Sequence, residues 1–487
     1  MMARMTGFLS VVLALTSIGA VKATFNTQYI PVCEEIRSKV SSSSDLILPI
    51  QTLSYKSSIQ HWFLSSDDTP ACVVKVGSPE DVSEVLKVIA ATRAPFAVYS
   101  GGHASNPGFS STPGIHIDLE RLNQIVLSAD KTTVELGFGV AWKDVYQELV
   151  PQGLNVVGGR VIGPGVGGFT LGGGFSWKTN QYGLTVDTVL RFNLVLPNGT
   201  ITSASPTVNP DLFFALKGGL NRFGIVTSAI LKTHPQPQVW GGLRIYPSTS
   251  VGAVIAATQA FYNQSTDAKT QIITTLDGGP LGTTALVLFF HDGPTKPPVF
   301  DLFDGIVHLT STTGQSSFTT LVTKFPAYII RNLRGRFATI STSALTPGFL
   351  AAIKNQTDYL GGLPKALNSG LALSYDIEPF TNFGQYATDS AYPHADSPLP
   401  LNLYFAWADP LDDQFWHDTM RQALDTLKQV AISEGIWRDT FTAYPNYAIN
   451  SNTAEDVYGA ANTARLRAIK AQIDPTGIMD LAGGFAL

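Results

Sequence analysis

The chain has 487 residues, too many for one ordinary core and enough for two or three domains. A net charge of -5, with only 14% charged residues and no basic stripe, argues against nucleic acid as a partner. The 44 glycines follow no three-residue period, which excludes a collagen-like fibre, and 44% hydrophobic content allows a sizeable interior.

Residues 1–23 carry Arg4, an apolar run from Phe8 to Ala20 and small residues ending at Ala23. That pattern reads as a secretory signal peptide. No later stretch reads as membrane-spanning, so a secreted protein without a membrane partner is expected. Cys33 and Cys72 are then a disulfide pair if the chain enters an oxidising compartment, and two core thiols otherwise. Sequons at Asn198, Asn263 and Asn355 fit a glycoprotein.

After an N-terminal segment (24–65), residues 66–237 alternate short strands and helices. "ACVVKV" reads as a strand. "SPEDVSEVLKVIAATRA" reads as a helix capped by Ser78, with Pro79 in its first turn. "FAVYS" is the next strand, and "VELGFGVAWKDVYQELV" is a strand feeding an amphipathic helix. "LRFNLVLPNGTITSA" is a hairpin turning at Asn198-Gly199. Residues 238–440 change texture: strands such as "QIITTLD", "TALVLFFHD", "LALSYDIEPF" and "LNLYFAW" alternate with longer helices, predicting an antiparallel sheet flanked by helices. Residues 441–487 form a tail with a helix from about Thr453 to Ile473. The fold class is α+β.

Two glycine loops need a chemical reason. "SGGHASNPG" follows a strand and puts His103 on a glycine hinge; "GGRVIGPGVGGFTLGGGFSW" spans 158–177. The second holds Gly163-x-Gly165-x-x-Gly168, but Gly172-Gly173-Gly174 interrupts the helix that a Rossmann fingerprint must open. Lys178-Thr179 follows Trp177 where a P-loop needs glycine, no His/Cys cluster has metal spacing, and no Gly-x-Ser-x-Gly elbow is present. What remains is two loops whose backbone N–H groups can wrap a pyrophosphate.

Together with "GIHIDLERLNQI", "DLFFALKGGLNRFGIVT", "AYPNYAIN" and "IDPTGIMD", these segments resemble the berberine-bridge-enzyme-like, oxygen-dependent FAD-linked oxidoreductases of the vanillyl-alcohol oxidase superfamily. The resemblance implies a two-part PCMH-type FAD-binding domain (66–237 with the tail 441–487) and a substrate domain (238–440). It implies His103 as the covalent FAD anchor. Cofactor contacts are implied at Ser100, Gly101, Gly102, Ser105, Asn106, Gly165, Gly168, Gly172, Gly173, Gly174, Ile225, Val226 and Asn446. Alignment on the triple glycine puts Val161 where some members carry a second, cysteinyl link, so a single link is expected. It puts Pro164 at the position said to gate oxygen in relatives.

The implied reaction takes hydride from an alcohol, sugar or secondary-metabolite C–H, with reoxidation by molecular oxygen to hydrogen peroxide, in a monomer without metal. Two other readings stay open: a dehydrogenase or oxidative cyclase of secondary metabolism, and a secreted flavin-binding protein without turnover. Tyr444 is the first candidate for base or substrate anchor. On "LNLYFAW", alternation puts Asn402, Tyr404 and Ala406 on one face, and Asn402 falls near a relative's catalytic Glu or Gln. An amide is no base, so Asp376 and Glu378 on a neighbouring strand become candidates, either as base or as rim carboxylates. Trp177 and Tyr182 read as packing under the glycine loop, His394 as a satisfied loop histidine, and His61-Trp62 as an N-terminal packing contact.

Overall fold

The structure is a computed structural model, and residues 27–325, 331–363 and 365–487 are described. Residues 1–23, read above as a signal peptide, lie outside them. No helix among the described residues is long and apolar enough to cross a membrane.

Three larger sheets and a two-stranded one organise these residues. In the first, Cys72–Lys75 and Phe96–Tyr99 both run parallel to Ile115–Asp118 between them, and Asp45–Ile47 adds an antiparallel edge. The segment before residue 66 therefore contributes a strand. A disulfide joins Cys33 to Cys72. The helix Pro79–Thr92 starts where expected, because the Ser78 hydroxyl accepts the Asp81 N–H at 3.2 Å. The second sheet is antiparallel: Ile125–Leu127, Thr133–Gly137, Ile225–Lys232, Val189–Val195 and Ile201–Ala204, in that spatial order. The Asn198-Gly199 hairpin joins the last two, with Gly199 at φ 83°, where a side chain would be strained.

The third sheet is the large antiparallel one. Val239–Tyr246, Thr284–His291, Thr270–Asp277, Gly370–Ile377, Leu399–Trp407 and Arg334–Thr342 follow one another across it. All of Leu399–Trp407 is buried, so both faces of this strand are covered. Leu401, Leu403, Phe405 and Trp407 share a core with Trp416, Met420 and Leu427 of the helix Asp413–Ser433. The opposite face carries Asn402, bonded to Asp376, and Tyr404, packed against Phe63, the two sharing a face as the alternation predicts.

The tail returns to the first part of the chain. Its helix Ala454–Ile473 opens on a Thr453/Asp456 capping box. The Arg222 guanidinium donates to the Met479 and Ala482 carbonyls at 3.1 Å each. A buried Lys178–Asp292 pair at 2.5 Å ties the end of the second glycine loop to the large sheet.

Candidate active site

A cavity of about 400 Å³ opens where the large sheet faces the two glycine loops. The strand Phe96–Tyr99 delivers one loop into it. Ser100 leaves that strand with its hydroxyl donating to the Phe138 carbonyl at 2.5 Å, and Gly102 turns the chain with φ +66°. The loops interlock: a Cβ on Gly101 would fall 2.1 Å from the Gly165 nitrogen. Gly168, in contrast, borders open cavity space. Among the described residues the N–H groups of Gly101, Gly102 and His103 meet no protein acceptor. The six-residue helix Val166–Leu171 begins without a side-chain cap. Its shortness agrees with rejecting a Rossmann reading.

His103 is held by two neighbours. The Trp62 indole stacks on it, centroids 4.6 Å apart and planes 27° from parallel. Its Nε2–Cε1 edge faces Gly163, where an added Cβ would fall 2.8 Å from Nε2 and 3.7 Å from the Trp62 ring. Burial, then the positive charges of Arg331 and His61, push its pKa down to about 3. The ring is therefore neutral at physiological pH and keeps a lone pair.

The other predicted residues divide. Ser105, Asn106, Ile225, Val226, Val161 and Pro164 line the cavity. The polar ends of Ser105 and Asn106 are committed elsewhere: Ser105 accepts the Phe337 N–H, and Asn106 bonds the Ala448 carbonyl and the Asn450 N–H. Gly172, Gly173 and Gly174 are not among the residues lining the cavity; the first two admit the tail, and Gly174 makes room for Thr185. A Cβ on Gly172 would lie 2.0 Å from Asn446 Oδ1, and one on Gly173 3.2 Å from the Tyr444 ring. Asn446 lines the cavity and donates to the Phe169 carbonyl at 3.0 Å.

The Tyr444 hydroxyl oxygen accepts from Gly174 N–H (3.0 Å), Phe175 N–H (3.3 Å) and Asn446 Nδ2 (2.9 Å). Burial raises its pKa; the bonds from Asn446 and Phe175 pull it back without reversing the shift. Asp376 pairs with Asn402 across neighbouring strands. Asn402 Nδ2 donates to Asp376 Oδ2 at 2.9 Å, and the Thr275 hydroxyl donates to Oδ1 at 2.7 Å. Burial raises the Asp376 pKa against those bonds. Glu378, two residues on, lies on a bidentate ion pair with Arg160 (2.7 and 2.9 Å). The Tyr447 hydroxyl accepts from Arg160 at 2.5 Å and donates to Glu378 at 3.2 Å.

Sequence reasoning missed Arg160, Tyr447 and the Trp62–His103 stack. Arg160 sits beside the Gly158-Gly159 pair and Tyr447 inside the tail motif, so their positions carried a signal; their meeting across 287 residues did not. His394 is the satisfied histidine it was read as, bonded to the Tyr392 carbonyl (2.8 Å) and Asp187 (2.9 Å). Trp177 is buried with its indole N–H on the Arg160 carbonyl, and Tyr182 stacks on His234.

The family described as "FAD binding domain" matches residues 70–205. The FAD-dependent monooxygenase tpcD of Cochliobolus heterostrophus is 32% identical over 436 residues, 84% of this chain and 83% of that protein. The chain belongs to the FAD-linked oxidoreductases, the family of that monooxygenase. The BBE-like 1 protein of Physcomitrella patens has the same fold, with TM-score 0.76 at 17% identity over 92% of this chain and 97% of its own. So does a glucooligosaccharide oxidase of Acremonium strictum with "6-s-cysteinyl, 8 alpha-N1-histidyl FAD", with TM-score 0.75 at 19% identity over 92% and 97%. As a member of that family this chain is an enzyme, an FAD-linked oxidoreductase. Its own site fits FAD: orphan backbone N–H groups beside glycines suit a pyrophosphate, and a neutral imidazole borders the same cavity.

Proposed function

We propose that this protein is a secreted, monomeric FAD-dependent oxidase that holds its cofactor by one covalent bond from His103 and oxidises an alcohol, sugar or secondary metabolite, with oxygen as acceptor and hydrogen peroxide as product. Residues 66–237 and 441–487 hold FAD in this reading, and 238–440 cover it. The supporting observation is that His103 and Asp376 border one cavity. Bound FAD supplies the acceptor for a substrate hydride.

Asp376 is assigned as the base. Its carboxylate is oriented by Asn402 and Thr275, whereas Glu378 is committed to Arg160. Its raised pKa moves it toward the range where a carboxylate takes protons effectively. Tyr444, whose oxygen already accepts three N–H donors, anchors the tail to the glycine loop. Val161 brings no thiol for a second link.

Asn198 and Asn263 are exposed and suit glycans; Asn355 is exposed on the helix Pro347–Gly361, though the Thr357 hydroxyl of its sequon is turned inward onto the Ile353 carbonyl. A mobility shift on glycosidase treatment of secreted protein tests export. One observation favours the dehydrogenase or cyclase reading: Pro164 borders the cavity. Reduced protein mixed with air-saturated buffer decides. Rapid reoxidation with one peroxide per flavin supports the oxidase; sluggish reoxidation rejects it.

A further inference from the structure

The geometry points to Trp62 as a positioning residue for flavin attachment, holding the His103 imidazole so that Nδ1 is the nitrogen that bonds. The inference rests on the covalent reading above and adds a residue from outside the cofactor-binding loops.

Three features carry it. Trp62 lies flat on the imidazole, 4.6 Å between centroids, so rotation of the ring about its Cβ–Cγ bond would break the stack. The Nε2–Cε1 edge is shut against Gly163, where even a methyl group would collide at 2.8 Å, so Nε2 has no room for a bonded group and Nδ1 is the nitrogen that remains. Trp62 is itself pinned at both ends of its backbone. Its N–H donates to the Gly102 carbonyl at 2.8 Å, and its carbonyl accepts the Asn332 N–H at 3.1 Å. The adjacent Phe63 bridges to Leu333. The indole is thus referenced both to the glycine hinge that carries His103 and to the large sheet. An imidazole with no hydrogen-bond partner among the described residues is fixed by a stacked ring and a glycine floor. Orientation of this kind is what makes a bimolecular step behave as an intramolecular one.

In the attachment step one C–H bond of the flavin 8α-methyl breaks and one N–C bond forms to Nδ1. The methyl proton and the imidazole N–H proton are released as the flavin takes up the electron pair, and dioxygen then removes that pair as hydrogen peroxide.

The test measures acid-precipitable flavin against total flavin in wild type, Trp62→Ala, Trp62→Phe and Gly163→Ala, all produced and aged identically in air-saturated buffer. A stacked pair is worth enough to slow attachment by about three- to tenfold when lost. Trp62→Ala should keep total flavin while its covalent fraction lags by that factor. Trp62→Phe should approach wild type. Gly163→Ala, pressing on the Nε2–Cε1 edge without removing a contact, should also lag. Attachment at the wild-type rate in Trp62→Ala overturns the inference. If that variant does not fold, wild-type attachment in Gly163→Ala overturns it instead. Wild-type protein with no flavin mass on the His103 peptide would overturn the covalent reading itself, a separate outcome.

Discussion

Replacing Arg160 by Met removes the only cation bonded to Glu378 among the described residues. Arg160 is 9% exposed and Glu378 2%, so neither charge is solvated to any extent. Burial drives the Glu378 pKa up and Arg160 holds it back. Two unit charges about 4 Å apart at an effective dielectric of about 20 attract by about 4 kcal/mol. That agrees with the about 3–5 kcal/mol usually lost when one partner of a buried pair is removed.

Without Arg160 the folded pKa of Glu378 rises further above its unfolded value. The loss should therefore be full at pH 8 and shrink as pH falls and the folded carboxyl takes a proton. Denaturant unfolding followed by tryptophan fluorescence at pH 5 and pH 8 measures it, with Arg160→Met/Glu378→Gln recovering most of the deficit. A loss under about 1 kcal/mol, equal at both pH values, would refute the claim that this pair is desolvated.

Asp376→Asn should lower turnover by at least about a hundredfold while leaving flavin content unchanged, as measured with any substrate found by peroxide screening. Tyr444→Phe leaves the Gly174 and Phe175 N–H groups without their acceptor and should cost about 1–3 kcal/mol in denaturant unfolding, with a smaller effect on turnover than Asp376→Asn. Burial pushes the Asp118 pKa up to about 7, so its contribution falls as pH rises through that value. Asp118→Asn should raise the melting temperature at pH 8 and leave it nearly unchanged at pH 4. Cys33→Ser should cost about 2–5 kcal/mol of stability, and reducing agent should produce the same loss in wild type.

Local chemistry was legible wherever a few neighbouring residues decide the outcome. Ser78 ahead of Pro79 announced a helix, and Asn198-Gly199 announced a hairpin. Alternation along Leu399–Trp407 correctly set Asn402 on the face that meets Asp376. The triple glycine was read as touching cofactor, yet it makes room for Asn446, Tyr444 and Thr185, because absence of a side chain serves any close neighbour equally well. The Arg160–Glu378–Tyr447 cluster and the Trp62 stack escaped notice for another reason. Their members come from separate parts of the chain, and no local period or turn signal encodes which distant side chain fills a given space.

Asn106 reaches across 344 residues to the Asn450 amide. A ribosome adding about 5–20 residues per second needs roughly 20–70 s to bridge that interval. Throughout it, the nascent glycine loops stand without the strip of polypeptide that seals them. Any dinucleotide captured in that interval meets a cavity still without its Tyr444–Tyr447 wall.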